Sequence, residues 1–321
     1  MSLPRFVAWT LTVGLVVLGA SLVAAQTYPN KPVRIVTAGV GGGSDFASRL
    51  IAQGISGGLG QQVIVDNRPS GVIPGEVVAK AAPDGYTLLV SSNVLWLEPY
   101  LHQKAHYDAL RDFLPITAVG RSPNILVVHP SLPVKSVKDL IALAKARPGA
   151  INYAAGTIGG SDHLATELFK SMAGVDIVRV SYKNAAIRMA DLIGGHVQLT
   201  FGSGGTVASY VKSGRLRALA VTSAERSPVF PDLPTVAASG LPGYEAVQIL
   251  GLFAPAKTPA AIIDRVNQET VRAINEPDVK DKFLASGIET AGGSPEQFAV
   301  LIKSDSVKWA KVFKDAGVRA E

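Results

Sequence analysis

The sequence predicts an α/β fold with largely parallel sheets, divided into two lobes that two extended strands join. Short β-branched runs alternate with helical patterns along the 321 residues, an order typical of βαβ units. The runs are continuously apolar, as expected of strands buried on both faces of a parallel sheet. Two extended runs, 125–128 and 248–255, bracket a central segment with its own βαβ series. This organisation predicts a hinge, with a ligand in the cleft between the lobes.

The segment before the first strand has a different composition. Residues 1–25 carry one charged side chain, Arg5, then an apolar stretch and the small residues Val23 and Ala25. The pattern is typical of a secretory signal peptide. A membrane anchor is the alternative, but the apolar run is shorter than the roughly 20 residues that a span needs. We therefore predict export to the periplasm, with cleavage near Ala25.

The predicted elements follow in order. Strands are expected at 33–37, 63–66, 87–90, 116–119, 125–128, 151–154, 177–180, 198–201, 216–221 and 248–255. Helices are expected at 45–53, 75–81, 136–146, 163–173, 185–193 and 206–213. The proline-rich stretch 227–245 is interpreted as a surface connection. The predicted domains are a signal peptide at 1–25, lobe 1 at 26–127 and 252–321, and lobe 2 at 128–251.

Helix starts are marked by capping residues. Ser136 and Asp139 have the spacing of a capping box, as does Ser294 with Gln297. Thr258 before a proline is typical of an N-cap with proline at the first helical position. The helix after Ser294 carries one apolar face, which predicts that it packs on the body of the protein. That face consists of Phe298, Leu301, Ile302, Trp309, Val312 and Phe313.

Composition excludes several classes of function. The net charge is +6, aromatic residues make up 7% of the chain, and no basic block stands out, so we predict no nucleic-acid partner. The absence of cysteine removes disulfides, thiolate metal sites and a cysteine nucleophile. His102 and His106 have the spacing of a helical metal pair, but no third ligand lies near them in the sequence. We predict no metal, no cofactor and no catalytic residues.

A glycine-rich loop follows the first strand. Gly39, Gly41 and Ser44 match a dinucleotide fingerprint with serine in place of its third glycine, and Asp66 lies near the expected ribose-binding acid. Similar polar loops lie at 91–93, 156–163, 182–186 and 202–206. Backbone N–H groups at helix starts favour anions, whereas ordinary turn chemistry would also account for any one loop.

Longer motifs resemble the solute receptors of tripartite tricarboxylate transporters, the Bug family. They span the chain after residue 25 and include "GGGSDFASRLIA", "LGQQVIVDNRP", "DHLATELFKSMAG" and "GRLRALAVTSAERSPVFPDLPTVAASGLPGYE". The resemblance implies a type II periplasmic binding protein, or Venus flytrap, that captures a carboxylate and delivers it to membrane subunits of the transporter. It also implies that Asp66 is a loop residue and not a ribose ligand.

The polar loops would then be the ligand loops of the family. The predicted ligand-binding residues are Gly41, Gly42, Gly43, Ser44, Asp45, Ser91, Ser92, Asn93, Thr157, Gly160, Ser161, His163, Tyr182, Lys183, Asn184, Gly202 and Ser203. The chain departs from the family pattern at Gly202, where many members carry aspartate. The family usually has an aromatic residue and prolines where this chain has Ala38, Gly39 and Val40, and the small Ala38 and Gly39 leave room for a wider acid.

The predicted function is therefore a periplasmic carboxylate-binding protein, not an enzyme, that acts as a monomer. A binding protein that signals through a membrane sensor kinase is one alternative, and an NAD-dependent oxidoreductase is a remote one. Because Asp45 is the main acid of the predicted pocket, little is present to pair with an ammonium group. We therefore expect a mono- or dicarboxylate without an amino group, with aromatic acids included in that class.

Overall fold

The computed structural model describes residues 28–68, 72–101, 107–156, 158–183 and 185–315. The predicted signal peptide and its cleavage site lie outside these ranges. Within them, the strands are β1 (Val33–Thr37), β2 (Val63–Asn67), β3 (Thr87–Ser92), β4 (Phe113–Val128), β5 (Asn152–Ala155), β6 (Val178–Ser181), β7 (Leu199–Ser203), β8 (Arg217–Val221), β9 (Val247–Pro255) and β10 (Glu289–Gly292).

Helices alternate with most of these strands, as the sequence predicts. The described helices are α1 (Gly43–Leu59), α2 (Val72–Ala79), α3 (Val94–Leu101), α4 (Val137–Ala146), α5 (Ser161–Ala173), α6 (Ala185–Ile193), α7 (Gly204–Lys212), α8 (Ala260–Asn275), α9 (Pro277–Ala285) and α10 (Pro295–Asp315).

The long strand β4 joins two sets of strands. Its first part pairs antiparallel with β9 and β10, beside a group in which β1 lies between β2 and β3 in parallel. Its last part pairs with β7 and β8, and β7 continues in parallel to β5 and β6. A second connection returns from the end of β8, where the Ala246 amide donates to Thr222 O at 2.9 Å, into β9. The two-lobed α/β fold is therefore confirmed, whereas the residue boundaries of the domains stay a prediction.

Strand directions bring both lobes to one boundary. β3 runs antiparallel to β9 and β9 antiparallel to β4, so β1, β2 and β3 point the way β4 runs. β7 runs against β4, and its last residue, Ser203, pairs with Asn124, where β4 enters the second lobe. The carboxyl ends of β5, β6 and β7 therefore point back toward the first lobe. The loops after both groups of parallel strands lie at the junction of the lobes.

Three hydrophobic clusters hold the helices to the sheets. The largest spans both lobes, because α10 and α3 bring Trp96, Phe298 and Trp309 to the same core as Phe169 and Tyr244. The second packs α1 and α8 on the first lobe, and the third packs α6 and α7 on the second lobe. The predicted apolar face of α10 is confirmed, since five of its six side chains are buried and the sixth is partly buried.

Several elements differ from the sequence prediction. The two runs predicted at 116–119 and 125–128 are one strand, which continues through Pro123 while it changes partners from β9 to β7. Helix α3 was not expected, because Leu95, Trp96 and Leu97 are all buried and leave no amphipathic period. Helices α9 and α10 and strand β10 complete a C-terminal part that the sequence only outlined.

Helix α1 is longer than its predicted range, although it contains three glycines in its second half. A methyl group at Gly54 would lie 2.6 Å from the Ala273 side chain of α8. The glycine therefore permits close packing of the two helices, which offsets its low helix propensity. Tertiary contact decides the length of α1, not local sequence.

The two predicted capping boxes differ in whether the side chain of the third helical residue bonds back to the amide of the capping serine. The Gln297 amide donates to Ser294 Oγ and the Ser294 amide to Gln297 Oε1, which completes the second predicted box. In the first, Asp139 N donates to Ser136 Oγ, but the Asp139 carboxylate accepts from the Lys135 amide.

The predicted cap at Thr258 was wrong. Pro259 is the N-cap of α8, because the Thr258 hydroxyl donates instead to Pro255 O at 2.8 Å. The stretch 227–245 is also more than a surface connection. Val236 and Tyr244 within it are fully buried, and the Tyr244 hydroxyl donates to Ala165 O at 2.7 Å.

Candidate functional site

The loop before α1 is shaped by a buried aspartate. Asp45 Oδ2 accepts the Gly41 amide at 2.9 Å, and Oδ1 accepts from Asn67 Nδ2 and pairs with Arg49. Burial alone would raise the pKa of Asp45, but these hydrogen bonds and the Arg49 charge outweigh burial and lower it. Gly41 has a φ of +87°, which favours glycine. The predicted acid of the pocket is thus a charged residue whose bonds fold its own loop.

The same loop approaches the start of β9. A methyl group at Gly43 would lie 3.8 Å from Gln248 Oε1. The predicted residues Gly42 and Ser44 flank it at the start of α1, where Gly42 is the N-cap.

The loop after β3 bonds to the same part of β9. Ser91 and Ser92 end the strand, paired with Gly251 and Leu250. Asn93 is buried, its amide donates to Ile249 O at 2.9 Å, and its side chain reaches Val247 O at 3.5 Å. The Asn93 side chain therefore joins β9 to the start of α3.

In the second lobe, the loop before α5 is held by His163. Its Nδ1 accepts the Gly159 amide at 3.2 Å. Burial, followed by the charge of Arg179, lowers the pKa of His163, so the ring is neutral at neutral pH. Gly160 is the N-cap of α5 and Ser161 its first residue, while Thr157 lies outside the described residues.

The two remaining predicted loops follow β6 and β7 in the second lobe. The Tyr182 hydroxyl donates to Asp191 at 2.8 Å, and burial, followed by this bond, raises the pKa of Tyr182 to about 12. Lys183 beside it is exposed, and Asn184 lies outside the described residues. At the end of β7, Gly202 is buried, whereas Ser203 is exposed and bonds Thr206 at 2.8 Å.

Strand residues that the sequence analysis missed connect these loops. Asn124 is 2% exposed, and its Nδ2 donates to Ser161 O at 2.9 Å. Its own amide donates to Thr222 Oγ1 at 2.7 Å. Together with Gln248, these residues lie where the chain crosses between the lobes. No sequence signal marks Asn124 and Thr222, because their positions result from the register of strands far apart in the chain, whereas Gln248 begins the run 248–255 that the sequence predicts to join the lobes.

Three helices begin at the junction without a side-chain cap. Among the described residues, no side-chain oxygen of the N-caps Gly42, Gly160 and Ser203 accepts a first-turn amide of α1, α5 or α7. By contrast, α4 and α10 begin with serine caps. Helices α8 and α9 also lack a side-chain cap, but a proline stands at the start of each. Helix starts of this kind carry partial positive charge, so the junction is suited to an anion.

Other chemistries find less support. Asp66, the acid that would bind a ribose in a dinucleotide site, is already paired with two arginines. The guanidinium nitrogens of Arg34 and Arg68 lie 3.3 and 2.7 Å from its Oδ2. The described ranges contain no group of three or more acidic or histidine side chains that could hold a metal ion, and His102 and His106 lie outside them. In the same ranges, every helix is too short or too polar to cross a membrane.

Comparisons with known proteins agree with this geometry. The family model described as the tripartite tricarboxylate transporter family receptor matches residues 47–318. A solved structure of Rpa4515 from R. palustris with adipate is 36% identical, with a TM-score of 0.81, and the match covers 92% of this chain and all of that one. The periplasmic binding protein BugD is 30% identical, with a TM-score of 0.78 and coverage of 92% and 100%. MatC from Rhodopseudomonas palustris with bound malate is 26% identical, with a TM-score of 0.75 and coverage of 89% and 99%.

Proposed function

Because this chain belongs to the tripartite tricarboxylate transporter receptor family, we propose that it captures an organic acid without an amino group at the junction of its lobes. The family is one of solute receptors, not of enzymes. The observation that carries the proposal is the meeting of three uncapped helix starts at one boundary. The ligands named for Rpa4515 and MatC, adipate and malate, are dicarboxylates and support the same class.

The charges at the junction favour an acid over an amino acid. Asp45 is already bonded to Gly41, Asn67 and Arg49, and Asp162 is paired with Arg188. Neither carboxylate is free to bind an ammonium group, whose burial without a partner would be costly. Hydrogen bonds to a charged group contribute about 1.5–3 kcal/mol each, so a few of them supply much of the roughly 8 kcal/mol behind micromolar affinity.

We infer a cellular role from the family and the sequence together. Residues 1–25 would direct export and be cleaved near Ala25, and lobes at 26–127 with 252–321 and at 128–251 would close on the ligand. The loaded monomer would deliver the acid to the membrane subunits of a tripartite transporter. Signalling through a sensor kinase is the second candidate. Deleting the gene tests the choice, because loss of acid uptake supports transport, whereas loss of acid-induced transcription with normal uptake supports sensing.

A ligand screen tests the binding proposal directly. Thermal shift followed by calorimetry would compare adipate, malate, benzoate, aspartate and glutamate. A ligand at 100 times its dissociation constant adds about 2.7 kcal/mol to the stability, so one of the first three acids should raise the unfolding midpoint clearly. Tightest binding to aspartate or glutamate, or no binding of any carboxylate, would contradict the proposal.

Charge reversal at the start of α5 gives a matched pair of variants. Ser161→Asp should abolish binding of the acid found in the screen, because its carboxylate would lie beside that of the ligand, and Ser161→Ala should weaken binding about tenfold. Ser136→Asp makes the same change at the N-cap of α4, where aspartate caps as well as serine. It should leave affinity unchanged. Retained binding by the Ser161→Asp variant would exclude this helix start from the site.

A further inference from the structure

We propose that Asp162, Arg188 and Arg179, here called the Asp162 cluster, act as positioning residues that hold Gly156 and residues 158–163 in the arrangement that receives the ligand. The inference rests on the proposed function for its ligand, but the arrangement of the loop is testable without one.

Asp162 bonds to both ends of this loop. Its Oδ2 accepts the Gly156 amide at 2.8 Å, and its Oδ1 accepts the His163 amide at 2.8 Å. Because Asp162 lies in the first turn of α5, these bonds fasten the end of β5 to the helix start. Ser161, a predicted ligand residue, lies between the bonded positions and projects from a fixed backbone.

The two arginines complete the cluster from neighbouring elements. Arg188 of α6 forms an ion pair with Asp162 Oδ2, and Arg179 of β6 donates to Gly156 O at 2.9 Å. The side chains of Arg188 and Asp162 are 13% and 10% exposed, so water does little to screen the pair. Gly156 therefore has its amide bound by the carboxylate and its carbonyl by a guanidinium.

The first lobe contains a similar device, which argues against a chance arrangement. Asp45, also in the first turn of its helix, accepts the Gly41 amide and pairs with Arg49. In both lobes an aspartate bonds a glycine amide earlier in the loop and has an arginine counterion. The two differ at the helix start, since Asp162 also accepts the first-turn His163 amide of α5, whereas the backbone amide that Asp45 accepts, that of Gly41, precedes α1. The second-lobe cluster differs in that a second guanidinium group, that of Arg179, binds the Gly156 carbonyl.

Hydrogen exchange of the unliganded protein tests positioning independently of any ligand. Asp162→Asn keeps the side-chain shape, but turns one acceptor into a donor that must face the Gly156 amide, the His163 amide or Arg188. We expect the Gly156 and His163 amides to exchange about tenfold faster, with the Gly41 amide unchanged. Asp139→Asn is the matched control, since Asp139 accepts the Lys135 amide at the start of α4. It should change exchange only there.

Arg188→Gln and Arg188→Lys supply the second arm and cover the case in which Asp162→Asn does not fold. Arg188→Gln should speed exchange as Asp162→Asn does, Arg188→Lys should restore protection, and the double variant should match either single one. Removing one partner of this buried ion pair should lower the unfolding midpoint of each variant. At a temperature where both are folded, calorimetry with adipate, malate and benzoate should show affinity about tenfold weaker in Asp162→Asn and Arg188→Gln than in the wild type. Unchanged exchange of the Gly156 amide in both Asp162→Asn and Arg188→Gln, or wild-type affinity in both, would overturn the proposal. If the wild type binds none of the acids, the proposed function fails, whereas the exchange result still decides the role of the cluster.

Discussion

Replacing Asn124 with alanine should destabilise the fold and weaken ligand binding together. The side chain is 2% exposed and lies where β4 enters the second lobe. Its Nδ2 donates to Ser161 O at 2.9 Å, and the Ser161 hydroxyl reaches its Oδ1 at 3.4 Å. The backbone of Asn124 is fixed separately, through two bonds to Thr222, so the substitution removes the link to α5 and leaves the strand intact.

The distances set the size of the effect. The bond at 2.9 Å is an ordinary buried hydrogen bond, which contributes about 0.5–1.5 kcal/mol, and the contact at 3.4 Å adds little. With the small cavity left behind, we expect the free energy of unfolding to fall by about 1–2 kcal/mol. If half of that loss, about 0.5–1 kcal/mol, falls on the ligand-ready position of α5, the dissociation constant rises about twofold to fivefold.

A double-mutant cycle with Ser161→Ala separates the two contacts. Because the stronger bond goes to the Ser161 carbonyl, which alanine retains, Ser161→Ala should cost little stability. The coupling energy should stay below about 0.5 kcal/mol. Denaturant unfolding gives the stabilities and calorimetry the affinities. A coupling energy above about 1 kcal/mol, or a Ser161→Ala cost equal to that of Asn124→Ala, would refute this assignment of the bonds.

Three further outcomes are expected. A methyl group at Gly202 would lie 2.4 Å from Val207 Cγ1, so Gly202→Ala should lower the free energy of unfolding by about 1–3 kcal/mol. Adding Val207→Ala to the Gly202→Ala variant should recover part of that loss, and equal stability of the single and the double variant would contradict the predicted clash. Because the pKa of His163 is lowered on folding, the unfolded chain binds the proton more readily, and stability should fall as pH drops below about 6.5. His163→Asn, which can still accept from Gly159, should remove that part of the pH dependence, and identical pH profiles would refute the assignment. N-terminal sequencing of protein from a Gram-negative periplasm should begin near Gln26, whereas recovery of uncleaved chain in the membrane would count against export.

Local signals sufficed for much of the fold. The apolar runs of β1 and β3 are recognisable as strands from their residues alone, and the end of each run predicts where the polar loop after it begins. The continuity of β4 was not predictable in the same way, because Pro123 interrupts the local pattern while pairing with Val247 maintains the strand. The two halves of β4 are joined by tertiary contacts and not by the local sequence.

The candidate site likewise has a part that local sequence signals reveal and a part that only tertiary contacts reveal. Glycines and serines at helix starts were visible in the sequence, as at Gly43 and Ser161. The roles of Asp45 and His163 were not, since only coordinates show that their side chains bond their own loops. Asn124 carries no motif at all. It matters because β4 and α5, far apart in sequence, meet there.

The packing of α3 against α10 has an optical consequence. The sequence has three tryptophans, and the two in the described residues, Trp96 and Trp309, donate their indole N–H groups to opposite oxygens of Asp305, at 3.0 and 3.1 Å. Trp9 would leave with the signal peptide. The emission of the mature protein would then arise from two indoles that share one buried carboxylate. Trp96 follows Asn93 by less than one helical turn, and Trp309 shares a core with Phe169 and Tyr244 of the second lobe. A spectral change on adding an acid would therefore report movement of α3 behind the loop at 91–93 or of that shared core.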